Sequence, residues 1–306
     1  MAPRPRISVV VPVFNGARDL GGCLESIRVA LTRVPRSRIE VIVCDNWSTD
    51  ASREIAERAG LSCDYRIMRP AQHEPNRTRN WRAGLAQARA DWMMMLHADD
   101  VLAPGGLAAL LRAIERPEAE RATLIGGRHR TFREPGEPDG GLHPYWPATS
   151  LLPGSLLVRS VLPLHCPFVP FLLMRRKAYE AVDGLDERWE LVQDWELWMR
   201  LLGRGDVLFV PDEIGWWRVH PTSPRYREIN AREHVELARR VAPRALPVAL
   251  ARAAVHLDGL DADTPWLNGD RLPTVDAANA SLRRTLRLVS ARLYALRAVG
   301  VVRRVL

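Results

Sequence analysis

Four carboxylates border apolar runs in this chain: Asp45 in VIVCDNWSTD, Asp99 and Asp100 in WMMMLHADD, and Asp194 in VQDWELWMRL. If the first two runs are buried parallel strands, Asp45, Asp99 and Asp100 project from one edge of the sheet, where open α/β folds hold their ligands. Carboxylates so placed can bind a cation or take up a proton. The expected ligand is a charged nucleotide.

The elements that must position these acids follow from hydrophobic periodicity. Ile7 to Val13 is a continuous apolar run, and Leu20, Leu24, Ile27, Leu31 and Val34 then recur at helical spacing. A second strand is expected over Ile39 to Cys44. The Asn, Ser, Thr and Asp of residues 45 to 50 can cap a helix that Gly60 ends, and Asp50 is assigned to that capping. Tyr65 to Arg69 and Trp92 to Leu96 are the next strands, with a helix over Asn76 to Ala90 between them and another from Leu107 to Ile114. Strands alternating with helices imply right-handed crossovers and a mainly parallel sheet. Further on, Leu124 to Arg130, Phe168 to Met174, Val207 to Val210 and Trp216 to Val219 read as strands, and Arg175 to Val182 and Val192 to Leu202 as helices. Residues 133 to 153 are rich in Pro and Gly without periodicity, as expected of a functional loop.

Of the net charge of +8, residues 225 to 306 carry +7. The body is therefore nearly neutral and offers no basic stripe for nucleic acid. Cys23, Cys44, Cys63 and Cys166 show no C-x-x-C spacing, which reads as a reduced, cytoplasmic chain without a thiolate metal site. No apolar run approaches the ~18 residues of a membrane span. The turn after the first strand, NGARDLGG, lacks the G-x-G-x-x-G of a nicotinamide-binding fold. From Ser281 onward seven arginines and no acid accompany an amphipathic leucine pattern, interrupted by Gly300. This basic helix can dock on its own domain, self-associate with a partner helix, or lie peripherally on an anionic membrane.

The order VVVPVFN, VIVCDNWSTD, RTRN, MLHADD, DGLDERWELVQDWELWMRL and WWRVHP resembles the family 2 glycosyltransferases of the GT-A fold, over roughly residues 6 to 222. The resemblance implies a GT-A-like α/β domain over residues 1–222, a mainly parallel sheet flanked by helices, and leaves 223–306 as a helical C-terminal extension. It implies an inverting transfer of sugar from a nucleotide-diphosphate donor to a hydroxyl of a glycan, lipid-linked or small-molecule acceptor. By the same resemblance Pro12, Val13, Phe14 and Asn15 line the base and ribose, Asp45 accepts a hydrogen bond from the base, and Arg79 meets the nucleotide, with Arg77 as the substitute. Asp99 is the first metal ligand, then Asp100, with His97 and His220 in reach.

The chain departs from the family at two points. His97 stands where the first acid of Asp-x-Asp is usual, and a neutral imidazole suits Mn²⁺ better than Mg²⁺. Gln193 replaces the first of an acidic pair, leaving Asp194 as the base, since Glu196 sits ~200° further round the helix. Trp189, Trp195 and Trp198 can desolvate Asp194 and raise its pKa, while Trp216 and Trp217 offer platforms for sugar rings. The alternative these departures open is a homologue that binds sugar nucleotide without catalysis.

Overall fold

The computed structural model describes residues 4–133, 148–164, 166, 168, 171–221, 223–256, 273, 277–285, 287–288 and 291. Most of the loop expected over 133–153 and the end of the basic helix lie outside these residues.

Among the described residues, a nine-stranded mixed sheet forms the centre. Strands β1 (Ile7–Val13), β2 (Ile39–Asp45), β3 (Asp64–Met68) and β4 (Trp92–Met95) lie in the order β3-β2-β1-β4, all parallel, as alternating strands and helices predict. Helices α1 (Ala17–Leu31), α2 (Ser52–Ala59) and α3 (Arg77–Leu85) make the crossovers. Beyond β5 (Val101–Leu102) and α4 (Gly106–Ile114) the sheet continues through β6 (Ala122–Phe132), β7 (Ser150–Leu152), β8 (Leu173–Arg175) and β9 (Asp206–Arg218). β8 inserts antiparallel between β4 and β6, β6 and β9 are parallel, and β5 and β7 pair antiparallel with β9.

Three expectations are corrected. The strand expected from Phe168 is only β8, with Phe171 and Leu172 buried outside it. The helix expected to reach Ala90 ends at Leu85. The two strands expected after Asp206 are one, β9, which carries Pro211 through a register shift opposite Gly126 and Arg128. A bulge is where a strand tolerates a residue that cannot donate to the ladder.

Alternation along β1 divides the core. Val9, Val11 and Val13 face a layer built from α1 and α4, whereas Val10 faces α3 together with α5 (Gly154–Ser160) and α7 (Gln193–Leu202). At α3 the approach is so close that a Cβ on Gly84 would lie 2.8 Å from Val10 Cγ1 and 3.0 Å from Cys44 Cβ. A short helix, α6 (Arg176–Ala181), follows β8. The chain then runs outside α3 through residues 183–192, held by side chains of α3 on its main-chain carbonyls. Asn76 donates to Glu187, Arg77 to Glu190, Thr78 to Trp189, and Arg82 to Asp183 and Leu185.

Past β9, helix α8 (Pro224–Val241) and α9 (Leu246–His256) pack on each other through alanines, and residues 277–285 are helical. Among the described residues no helix is long and apolar enough to cross a membrane.

Candidate active site

The C-terminal ends of β1 and β2 open into a cleft of about 200 Å³ lined by Pro12, Val13, Phe14, Asn46, Arg77 and Trp81, among others. Phe14 is 50% exposed and stacks on His73 at 4.8 Å between ring centroids, so an aromatic pair guards the mouth. Asn15 takes a positive φ of 49° and spends its side-chain oxygen on the Thr49 N–H at 2.8 Å, shaping the turn beside the cleft. Asp50 accepts from Ala17 and Ser52 and so caps the neighbouring turns.

Asp45, the last residue of β2, is fully buried. Its Oδ1 accepts the Ser48 N–H at 2.9 Å, and its Oδ2 accepts Arg69 Nε at 2.8 Å with Nη2 equally near. Both Asp45 oxygens are thus engaged within the chain, and Arg69 lies 4.9 Å over the half-exposed ring of Trp47.

The two arginines of α3 differ in their surroundings. Arg79 is not among the residues lining the cleft and pairs with Glu187 at 2.8 Å, which raises its pKa through that hydrogen bond. Arg77 lines the cleft, stacks on Trp81 at 5.3 Å and donates to the Glu190 carbonyl. Residues two apart on a helix are ~200° apart, so only one of the pair can face the ligand.

Beyond β4, His97, Asp99 and Asp100 bring one ligand atom each within 4.8 Å of one another. His220 Nε2 lies 2.6 Å from Asp99 Oδ2, closing the group from β9's far end. Asp100 is buried; its Oδ1 accepts the Arg218 N–H at 2.9 Å, while Oδ2 has no hydrogen-bond partner, and neither has the buried Nε2 of His97. Orphaned polar atoms of this kind fit a divalent ion, since a buried polar group without a partner costs ~1–3 kcal/mol. Burial, with Asp99 opposing it and Arg77 adding to it, pushes the His97 imidazole down to about 4, so it is neutral and ligand-competent at physiological pH. Burial and the Asp99 charge push the Asp100 carboxyl well up.

Arg218 is the residue that sequence reading missed. Almost fully buried, it donates to the Asp99 carbonyl at 3.0 Å, reaches Asp19 at 3.2 Å and stacks on Phe132 at 4.4 Å, bracing the acidic loop. It stands in WWRVHP two residues before His220, which is the signal that could have found it.

Asp194 sits in the first turn of α7, its Oδ1 accepting the Trp195 N–H at 2.7 Å. Burial raises its pKa above the ordinary carboxylate value, against the lowering pull of that N–H and of Arg77. The charges of Asp194 and Arg77 both reach Tyr226 of α8, whose pKa is raised chiefly by burial. Glu196 is consumed by Arg200, with Nε at 2.6 Å and Nη2 at 2.6 Å from its two oxygens. The Arg77 charge thus acts on both His97 and the partly buried Asp194.

Residues 8–182 match the Glycosyl transferase family 2 profile. An uncharacterized protein of Mycobacterium tuberculosis is 27% identical over 76% of this chain and 73% of its own length. An uncharacterized glycosyltransferase of Rickettsia conorii is 25% identical over 66% of this chain, which spans only 32% of that protein. Two solved folds are similar. S. aureus TarS 1-349 in complex with UDP-GlcNAc has a TM-score of 0.60 at 15% identity, covering 98% of this chain and 91% of that one. The mannosyltransferase PcManGT of Pyrobaculum calidifontis, with GDP-Man and Mn²⁺, has 0.56 at 17%, covering 97% and 87%.

Proposed function

The chain belongs to glycosyltransferase family 2, and on that premise we propose that it transfers a sugar from a nucleoside diphosphate donor to an acceptor hydroxyl with inversion at the anomeric carbon, Asp194 serving as base. The observation that carries this reading is the group of His97, Asp99 and Asp100, whose ligand atoms lie within 4.8 Å of one another, set against the cleft by Trp81, whose ring centroid is 4.7 Å from that of His97. Phe14 and His73 offer a face for the nucleoside at the cleft mouth, with Arg69 and Asp45 nearby. Arg77, lining the cleft, supplies positive charge toward the diphosphate. Asp99, Asp100 and His97, with His220, would hold a divalent cation, Mn²⁺ favoured over Mg²⁺ by the imidazole. When bound, such an ion neutralises charge on the leaving diphosphate.

Asp194 takes the acceptor proton as the oxygen attacks. Its raised pKa makes it a stronger base than an exposed aspartate, and such proton transfer contributes typically ~10²–10⁴ in rate. One displacement gives inversion. A glycan, lipid-linked or small-molecule acceptor enters beside Tyr226 and α7, and a cytoplasmic, polysaccharide-building role is the setting we infer.

Calorimetric titration with UDP and GDP, with and without Mn²⁺, followed by release of nucleoside diphosphate from UDP-GlcNAc and GDP-mannose, tests this reading. Binding with metal dependence and turnover is expected. Binding without turnover supports the second reading, an inactive sugar-nucleotide-binding homologue, to which His97 and Gln193 point.

A further inference from the structure

Glu233 lies on α8, outside residues 8–182, and is 5% exposed. Its Oε1 accepts the N–H of Glu190 at 2.7 Å, and its Oε2 accepts those of Leu191 at 2.7 Å and Val192 at 3.1 Å. Successive main-chain N–H groups converging on one carboxylate form an anion-gripping concavity, and bonds to an ionised acceptor are roughly twice as strong as neutral ones. Val192 is also the residue from which α7 starts, so the carboxylate sits at the positive end of that helix.

The gripped segment holds both halves of the proposed site. The carbonyl of Glu190 accepts Arg77 Nε at 2.7 Å, and Nη2 approaches the same oxygen. Asp194 follows Val192 by two residues. One turn on from Glu233, Leu237 packs against Trp189 and Val192, and His234 meets Trp195 edge-on at 4.9 Å. The face of α8 that carries Glu233 is therefore seated on the stretch from Trp189 to Trp195.

We propose that Glu233 is a positioning residue for the transfer reaction: from α8 it fastens residues 190–192 so that Arg77 and Asp194 are held together at the cleft. The proposal rests on the reading of Asp194 as base. A cap that merely steadied α7 would change stability alone. A positioning residue changes the turnover of a folded enzyme.

The test uses the full chain with Glu233→Ala and Glu233→Gln, after circular dichroism confirms native secondary structure. Hydrogen exchange of the amides of 190–192 is expected to accelerate at least tenfold in Glu233→Ala, with β1 and β4 as protected as in the parent. Release of UDP or GDP from UDP-GlcNAc or GDP-mannose is expected to lose at least tenfold in kcat. Glu233→Gln, which keeps one acceptor oxygen but turns an NH₂ toward an N–H, should fall between. As water reaches Asp194, the acid limb of kcat should move to lower pH. Unchanged exchange, or faster exchange with kcat and the acid limb both unmoved, overturns the proposal. If the parent chain itself neither binds UDP or GDP nor turns over either donor, the functional reading fails instead, a result separable from the first because exchange is read without substrate.

Discussion

The Asp45–Arg69 pair allows an asymmetric prediction. The carboxylate is wholly buried, whereas the Arg69 side chain is 32% exposed. Arg69→Met strands a buried charge with the Ser48 N–H as its remaining partner and removes the stacking on Trp47. Removing one partner of a fully buried pair costs ~3–5 kcal/mol. Because water can enter where Arg69 was, we take ~2.5 kcal/mol, below that range. Asp45→Asn leaves a guanidinium that can turn to solvent and should cost only ~1 kcal/mol. With unfolding entropy of ~2.1 cal/mol/K per residue over 306 residues, Arg69→Met should lower Tm by about 4 °C and Asp45→Asn by under 2 °C. The double variant should fall by less than the sum, since the buried charge has gone with its partner. Urea titration and thermal melts at neutral pH measure all three. If Asp45→Asn proved the costlier single change, the assignment of the buried charge as the vulnerable member would be refuted.

Three further outcomes are expected. Asp194→Asn should cut nucleoside diphosphate release by ~10²–10⁴. It should also raise Tm at pH 8, because a carboxyl whose folded pKa is raised by burial costs stability once ionised; the two melts should converge as the pH falls to about 4, and a variant less stable at pH 8 would contradict the burial argument. Saturating Mn²⁺, at ~100 times Kd, should stabilise the chain by ~2.7 kcal/mol in thermal melts, and His97→Ala or Asp99→Asn should abolish the shift; a shift that persists in both places the ion elsewhere. Gly84→Ala should destabilise by ~1–3 kcal/mol in denaturant, since its Cβ would press Val10 Cγ1 at 2.8 Å, and a neutral result would mean that α3 can lift off β1 freely.

The parallel half of the sheet was legible because its strands are unbroken apolar runs separated by turn residues, and the acids near their ends fell where that pattern put them. What escaped has physical causes. Pro211 splits β9 in the sequence, but a bulge absorbs it in the fold. Arg77 and Arg79 are indistinguishable until the helix face is known, and helical spacing there is weak because α3 is rich in charge. Arg69 and Arg218 act on partners far along the chain, and long-range ion pairs leave no local pattern. Glu233 was invisible for another reason: it reads main-chain N–H groups, which every residue but proline carries.

Besides the ion pairs of Arg79 and Arg82 with Glu187 and of Arg82 with Asp183, the attachment of residues 183–190 to α3 runs one way chemically. Asn76, Arg77, Thr78 and Arg82 give side-chain hydrogens, and what receives them is peptide oxygen. Drift should therefore be lopsided across this seam. Glu190 can exchange its side chain and still keep the link through its carbonyl, whereas the four side chains opposite have few acceptable replacements. A saturation library scored for folded yield would display that contrast as a tolerant strip lying against an intolerant one.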